Sequence, residues 1–536
     1  LVGLGHDVHL LCQERHPHEY AFVDAAGDWD AGELRVSELR SAPAHSAGGT
    51  ARGRCTVYRP NIGDLLPVYV ADRYEGIEAR TFPDCSEEEI ARYIAANVAA
   101  VAELLDSVRP QLALANHLVM GPVILARGLH GAVPYAVKVH GSALEYVVKP
   151  HPQRFLCPAR EGLAGARAVL VGSRHTAASL WRALGDDGSL ERRTRLGPPG
   201  VDVQRFAARP PQAAAAGVAD LAVRLRGSAR APAQAAAQGP ARADSAFARD
   251  ELETAVALEH LCPQRDALVA FVGKLIVSKG VDLLIAAWPL VLERVPHAQL
   301  ALVGFGAYRG ALARLLGALA DGDMAAARQI ALAGRSLEVA PEAQVASGSP
   351  AAPADPDVCA PAETGEARPL AHLLAFLDGL RGAERERYLQ AARAMREGVF
   401  FTGRLEHSEL AELLPACQAV VVPSTFPESF GMVAVEAAAC AALPISAAHS
   451  GLAEVSEELA NHVPEQARAW LSFPIDDHAV RALAGCLEGW LTAPSALRAQ
   501  TRTGLVDVVR ERWSWDGVAR GVIAAASGQL DELCEP

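Results

Sequence analysis

Positive charge is in short supply in this chain: 50 Lys and Arg face 63 Asp and Glu, for a net charge of −13 and a pI of about 5.7. An acidic protein of this kind is a poor candidate for non-specific nucleic-acid binding. The ten cysteines form no C-x-x-C pair and no Cys/His cluster at zinc spacing, which argues against a structural zinc site. They read as reduced, mostly buried thiols of a cytoplasmic protein. No apolar run approaches the roughly 20 residues of a membrane span, and no signal peptide is visible. Peripheral membrane contact stays open. No Asp-x-Asp occurs in a context that would hold a metal. Aromatic residues make up only 5% of the chain, whereas Ala, Gly and Pro are abundant, a bias expected of a high-GC genome. What is present is bulk. With 536 residues, half of them hydrophobic, the chain can build two substantial domains.

The most informative segment is PSTFPESFGMVAVEAAACAALP, residues 423–444. Glu428 and Glu436 lie eight positions apart, the first before a bend at Gly431 and the second inside the helix that follows. Around Glu436 the residues are apolar on every side, which predicts a buried helix. A carboxylate there costs several kcal/mol unless something pairs with it. Hydroxyls of a ligand would do so, and so would a buried Arg. The helix start offers unsatisfied N–H groups and the positive end of a dipole to an anion. Together these features suggest a pocket for a molecule with both phosphates and hydroxyls, such as a nucleotide sugar.

Further motifs follow in a fixed order. They are PYAVKVHGS (134–142), GPPGVDVQRF (197–206), VAFVGKLIVSKGVDLLIAA (269–287), LALVGFG (300–306), FFTGRLEHSELAELLPAC (400–417), ESFGMVAVE (428–436) and RWSWDGVA (512–519). This set resembles the retaining GT-B glycosyltransferases of family 4, whose signature is E-x7-E. The resemblance implies an α/β fold of two Rossmann-like, doubly wound domains facing a cleft. It also implies transfer of a sugar from a nucleoside-diphosphate sugar to a hydroxyl acceptor, without a metal or other cofactor. LVGLGHDVHLLCQ at the start resembles the end of a first helix and a second strand, so the family's opening strand and glycine loop are expected to be missing.

Several site roles follow from the residues and from the resemblance together. Lys274 and Lys279 flank a loop between a strand and a helix, where phosphate oxygens bind. Lys274 stands where the family usually has Arg, which exchanges a planar fork for a point charge. The resemblance implies that Glu428 accepts from hydroxyls of the donor sugar and Glu436 from those of the ribose. It sets the backbone of Ser429, Phe430, Gly431 and Met432 toward sugar and phosphates. Gly273 would lie beside the donor, and Arg404 and Leu405, in the loop 403–406, against the base. His140 ends an apolar strand, and with Gly141 and Ser142 it occupies the strand end at which open α/β sheets bind ligands. Asn116 and His117 end another strand and could meet the acceptor or be structural. No side chain is nominated as nucleophile. The family's usual Asn is Pro199 here, Ala441 replaces a common Gly, and His449-Ser450-Gly451 replaces a Gly-Gly pair.

Apolar runs at 8–12, 112–115, 135–139 and 168–172, with a helix over 87–105, predict parallel βαβ units in a first domain, residues 1–195. Runs at 268–272, 300–303, 399–401 and 419–422 predict a second, residues 196–516. A last helix over 517–534 is expected to pack back on the first. Residues 207–249 read as a low-complexity insertion, followed by a helix over 250–260. A second insertion spans 318–396. Its centre, 340–369, has the composition of a disordered or mobile loop, and its flanks, 310–333 and 371–396, look helical. It gates the cleft, contacts a partner or is solvated decoration. Competing readings are a nicotinamide oxidoreductase, from Gly304-x-Gly306-x-x-x-Gly310, a GT-B sugar epimerase or phosphorylase, and a GT-B scaffold that has lost activity. The glycine pattern follows the second strand of its domain and lacks the acidic residue about 20 positions on that would hold a ribose.

Overall fold

The computed structural model describes residues 1–30, 32–40, 52–69, 76–185, 188–230, 249–338 and 368–536. The chain divides into two α/β units. The first comprises Leu1–Gly172, Ala177–Pro198 and Trp515–Pro536, the second Ser173–Thr176 and Pro199–Ser514.

In the first unit the strands are β1 (Val8–Leu11), β2 (Ala25–Asp30), β3 (Glu33–Glu38), β4 (Cys55–Arg59), β5 (Leu65–Val68), β6 (Glu78–Thr81), β7 (Ala113–Asn116), β8 (Tyr135–Val139), β9 (Ala168–Val171) and β10 (Thr194–Leu196). β7–β10 form a wholly parallel sheet in the order β10-β9-β8-β7. β8 and β9 are buried along their whole length, as strands covered on both faces must be. The Trp515–Ser527 helix lies on one face, where Ala525 and Ala526 meet Ala136, Ala168 and Leu170. The helix expected over 87–105 runs Glu87–Val108, started by a Ser86/Glu89 capping box. Here the unit departs from a single sheet. β1, β4, β2 and β3 make a separate sheet with an antiparallel β2–β3 pair, and β5 and β6 a third. β3 is almost entirely exposed, so burial imprints no apolar run on its sequence.

The second unit holds β11 (Ala267–Val272), β12 (Ala298–Val303), β13 (Val399–Gly403), β14 (Ala419–Val422), β15 (Leu443–Ala447) and β16 (Ser472–Phe473). All are parallel, in the order β13-β12-β11-β14-β15-β16. The chain winds outward from β11 to β13, returns, and winds the other way from β14. The topological switch point therefore lies between β11 and β14. The Val281–Arg294 helix packs into the core with Trp288 fully buried.

The low-complexity reading of 207–249 needs correction over its first half. Pro211–Arg230 is one helix. Pro suits its first turn and Ala is the best helix former. Ala214, Val218, Leu221, Ala222 and Leu225 make a buried stripe at helical spacing. Residues 231–248 lie outside the described residues. The helix expected over 250–260 spans Glu251–Glu259, capped by Asp250. In the second insertion the helical flanks are Arg309–Asp321, Met324–Ala333, Ala371–Gly379, Gly382–Ala392 and Met395–Gly398. Its centre lies outside the described residues except for Arg368 and Pro369.

Candidate functional site

The nominated residues of the second unit gather on the loops that leave the carboxyl ends of β11, β13 and β14. These loops are laced by backbone contacts. Thr425 N–H donates to the Ser278 carbonyl at 2.8 Å and Leu275 N–H to Phe305 at 2.7 Å, while Gly304 N–H donates to Gly403 at 2.9 Å. Gly280 has φ 64°, and a Cβ on it would sit 2.0 Å from the Pro423 oxygen. A Cβ on Gly304 would sit 1.8 Å from the Gly273 oxygen. The Gly304-x-Gly306 pattern is thus accounted for by the close approach of two loops, which weakens the dinucleotide reading.

Lys279 and Glu428, 149 residues apart in the chain, meet here: Nζ donates to Oε1 at 2.6 Å. Ser424 Oγ donates to the same carboxylate oxygen. Burial pushes the Glu428 carboxyl upward. The Lys279 charge, the bonds from Lys279 and Ser424 and the charge of His449 together outweigh it, so the group sits below its ordinary value. The backbone of Glu428 is braced from the loop after β15. His449 Nε2 donates to the Ser424 carbonyl at 2.7 Å, and its Nδ1 lies 3.0 Å from Ser450 Oγ. The Ser450 oxygen accepts from Glu428 N–H at 2.9 Å. The residues that replace the Gly-Gly pair therefore support the nominated carboxylate. Ser450 has φ 51° and Ala441 φ 62°, so two of the departures fall where the backbone favours glycine.

Glu436 lies in the Met432–Ala439 helix, flanked by buried Ala434, Val435, Ala437, Ala438 and Ala439. Its partner is not an Arg but His407, whose Nε2 is 2.8 Å from Oε1. The bond to Glu436 raises the His407 pKa above its ordinary value, against opposition from burial and from Arg205, with Asp202 adding to the rise. His407 opens the His407–Leu413 helix just beyond β13. Ser424, His449, Ser450 and His407 were not nominated from sequence. The strand-end rule that nominated His140 would have found His407.

The remaining nominees fall around this pair of carboxylates. Gly431 is the N-cap of the Glu436 helix at φ 137°. Phe430 is buried with its ring 5.8 Å from that of Trp513. Ser429 and Met432 are half-buried. Gly273 N–H donates to Val303 at 3.0 Å, and Lys274 beside it is half-buried. Leu405 is buried, and Arg404 pairs with Glu406 at 3.1 Å.

The first unit carries its own cluster at the ends of β7 and β8. His140 Nε2 is 3.2 Å from Asn116 Oδ1. The His117 ring lies 4.9 Å from that of His140 and 4.1 Å from that of Tyr69. His117 Nδ1 is buried with no hydrogen-bond partner among the described residues. Burial, with His140 adding, lowers His117 to about 4. Burial and the Lys138 charge lower His140 to about 4, and burial lowers Lys138 to about 8. Both imidazoles are therefore neutral at ordinary pH. Gly141 and Ser142 start the helical turn that leads into Ala143–Val148. Among the described residues one group could gather on a metal ion, His16, His18 and Glu19, and none of them belongs to either cluster.

Residues 374–484 match the family model "Glycosyl transferases group 1", a stretch that holds Glu428, Glu436 and His407. A D-inositol 3-phosphate glycosyltransferase of Segniliparus rotundus is 34% identical over 123 residues, 23% of this chain and 24% of that protein. The match thus spans about a quarter of the curated relative's length. Among solved structures, Anabaena HepE in complex with UDP gives a TM-score of 0.47 at 16% identity, covering 84% of this chain and 86% of that one. Sucrose-phosphate synthase from Thermosynechococcus elongatus gives 0.45 at 18%, covering 98% of each.

Proposed function

We propose that this chain, which carries a glycosyl transferases group 1 domain in its second unit, moves a sugar from a nucleoside-diphosphate sugar to a hydroxyl acceptor, with retention and without a metal. The observation that carries this reading is the meeting of Lys279 and Glu428 at the switch point, with Glu436 on the helix that starts beside them. A diphosphate needs cations, and Lys279 supplies one at a strand-to-helix loop. Glu428, held ionised, accepts from hydroxyls of the donor sugar, and Glu436 accepts from the vicinal hydroxyls of the ribose. The Met432 end of the Glu436 helix offers N–H groups to the phosphates.

In the transfer step the bond between the sugar's anomeric carbon and the phosphate oxygen breaks. A bond from that carbon to the acceptor oxygen forms on the same face. The acceptor's proton passes to the departing phosphate. Positive charge at Lys279 stabilises the diphosphate as it leaves, the part that a metal plays elsewhere. In the first unit, the neutral imidazoles of His117 and His140 can hydrogen-bond the hydroxyls of an acceptor. The test is incubation with UDP-, GDP- and ADP-glucose and a panel of hydroxyl acceptors, including an inositol phosphate, followed by proton NMR. A glycoside with the donor's anomeric configuration, formed equally in EDTA, is the expected product. An inverted glycoside contradicts retention, and loss of product in EDTA contradicts metal independence. A sugar 1-phosphate or an epimer would replace the reading with a phosphorylase or an epimerase. Nucleotide binding with no turnover would mean a scaffold.

A further inference from the structure

We propose that His407 positions Glu436 for the ribose of the nucleotide, and that donor affinity follows the state of this imidazole. The inference rests on the donor-site reading above and deepens it. Glu436 sits on a helix among buried Ala434, Val435, Ala437, Ala438 and Ala439, and its own side chain is 6% exposed. A carboxylate so placed needs a fixed donor before any ligand arrives. His407 Nε2 supplies it at 2.8 Å. The imidazole is itself held by packing. Its ring lies 4.6 Å from that of Phe206, tilted by 57°, and Phe206 is fully buried. The segment holding Phe206 is tied in turn by Val201 N–H to the Trp513 carbonyl at 2.7 Å. The His407 side chain is 53% exposed where that of Glu436 is 6%, so a ligand coming from solvent meets the imidazole before the carboxylate.

A carboxylate has about four lone-pair positions. His407 takes one, on Oε1, and fixes the plane in which the others are offered to two vicinal hydroxyls. The charged groups facing the imidazole are Glu436 from the Met432–Ala439 helix and Asp202 and Arg205 from the segment before Phe206. On its own helix, Glu406 and Glu409 cap the first turn, and Glu409 is also paired with Arg249. With its proton, His407 makes a charge-assisted bond and offsets a negative charge close to where an anionic donor binds. That proton is lost as pH rises, and the offset goes with it.

The test is calorimetry of whichever UDP-, GDP- or ADP-sugar binds the wild-type full chain, from pH 6 to 8.5. A sugar conjugate is used because its diphosphate does not titrate in this range. The wild type is expected to bind less tightly as pH rises, by about 3- to 10-fold. His407→Ala should weaken binding about 10-fold or more and flatten the pH profile. His407→Gln keeps a neutral donor, so it should recover part of the affinity and stay flat. Turnover at saturating donor should change less than about twofold, the pattern of lost ground-state binding. Wild-type affinity and pH slope in both variants would overturn the proposal. Should His407→Ala fail to fold, the slope of a His407→Gln protein that melts like the wild type decides it. Failure of the wild type to bind any of the three would contradict the donor-site reading itself.

Discussion

The two strand-end clusters share a topological position and differ in electrostatic construction. In the second unit each nominated carboxylate is matched to a cationic or protonatable partner, Lys279 with Glu428 and His407 with Glu436. In the first unit the two histidines are neutral and the nearby charge is that of Lys138. Burial pushes His117 and His140 to about 4, with His140 adding to the first shift and the Lys138 charge to the second. The difference teaches what each site is equipped to hold. On the proposed reading, the cluster of the second unit holds a ligand with full charges and hydroxyls. On the same reading, the cluster of the first unit offers neutral imidazoles to an uncharged hydroxyl.

The sharpest way to break this contrast is to remove the cation. Lys279→Ala should lower kcat/KM by about 10²- to 10³-fold, comparable to losing a preorganised group that stabilises developing charge. Steady-state kinetics with the active donor checks it, and full activity would sink the assignment. Glu428→Gln keeps size and removes charge. It should cut kcat by about 10-fold or more while nucleotide affinity changes little. The opposite pattern would mean that the two glutamates' roles are reversed.

The neutral cluster is tested by pH. A histidine whose folded pKa is depressed binds fewer protons folded than unfolded. Its contribution is present above the unfolded value near 6.5 and is lost as pH falls toward the folded value near 4. Denaturant unfolding should show stability falling by roughly 1 kcal/mol between pH 6.5 and 5, with the shifts discounted for partial exposure. His140→Asn should fall less. An equal fall in the variant would show that His140 is not the group responsible. The smallest effect is expected at Ala441→Gly, which relieves a left-handed alanine and loosens the unfolded chain. A gain of up to about 1 kcal/mol is expected, and a clear loss in the melting curve would argue against strain there.

Much of the second unit was legible because buried parallel strands read as unbroken apolar runs. β11, β12, β13 and β14 all lie where such runs stand. β15 was hidden by Pro444, since proline in a central strand argues against a strand. β2 and β3 were hidden by polarity, because an exposed pair carries no burial pattern. The Pro211–Arg230 helix was lost in the composition of the residues after it. Within the site, Glu428, Glu436 and Lys279 were legible from residue type and spacing. Their partners were not. Ser424, His407 and His449 are common polar residues that acquire meaning only when the sheet brings separate loops together.

The central claim, a nucleoside diphosphate held at the β11/β14 switch point, is tested most directly by thermal melting with UDP, GDP and ADP. The wild type should be stabilised by one of the three, by about 2.7 kcal/mol at a hundred times its dissociation constant, and Lys279→Ala should lose most of that shift. No shift with any nucleotide, or an equal shift in the folded Lys279→Ala variant, would contradict it.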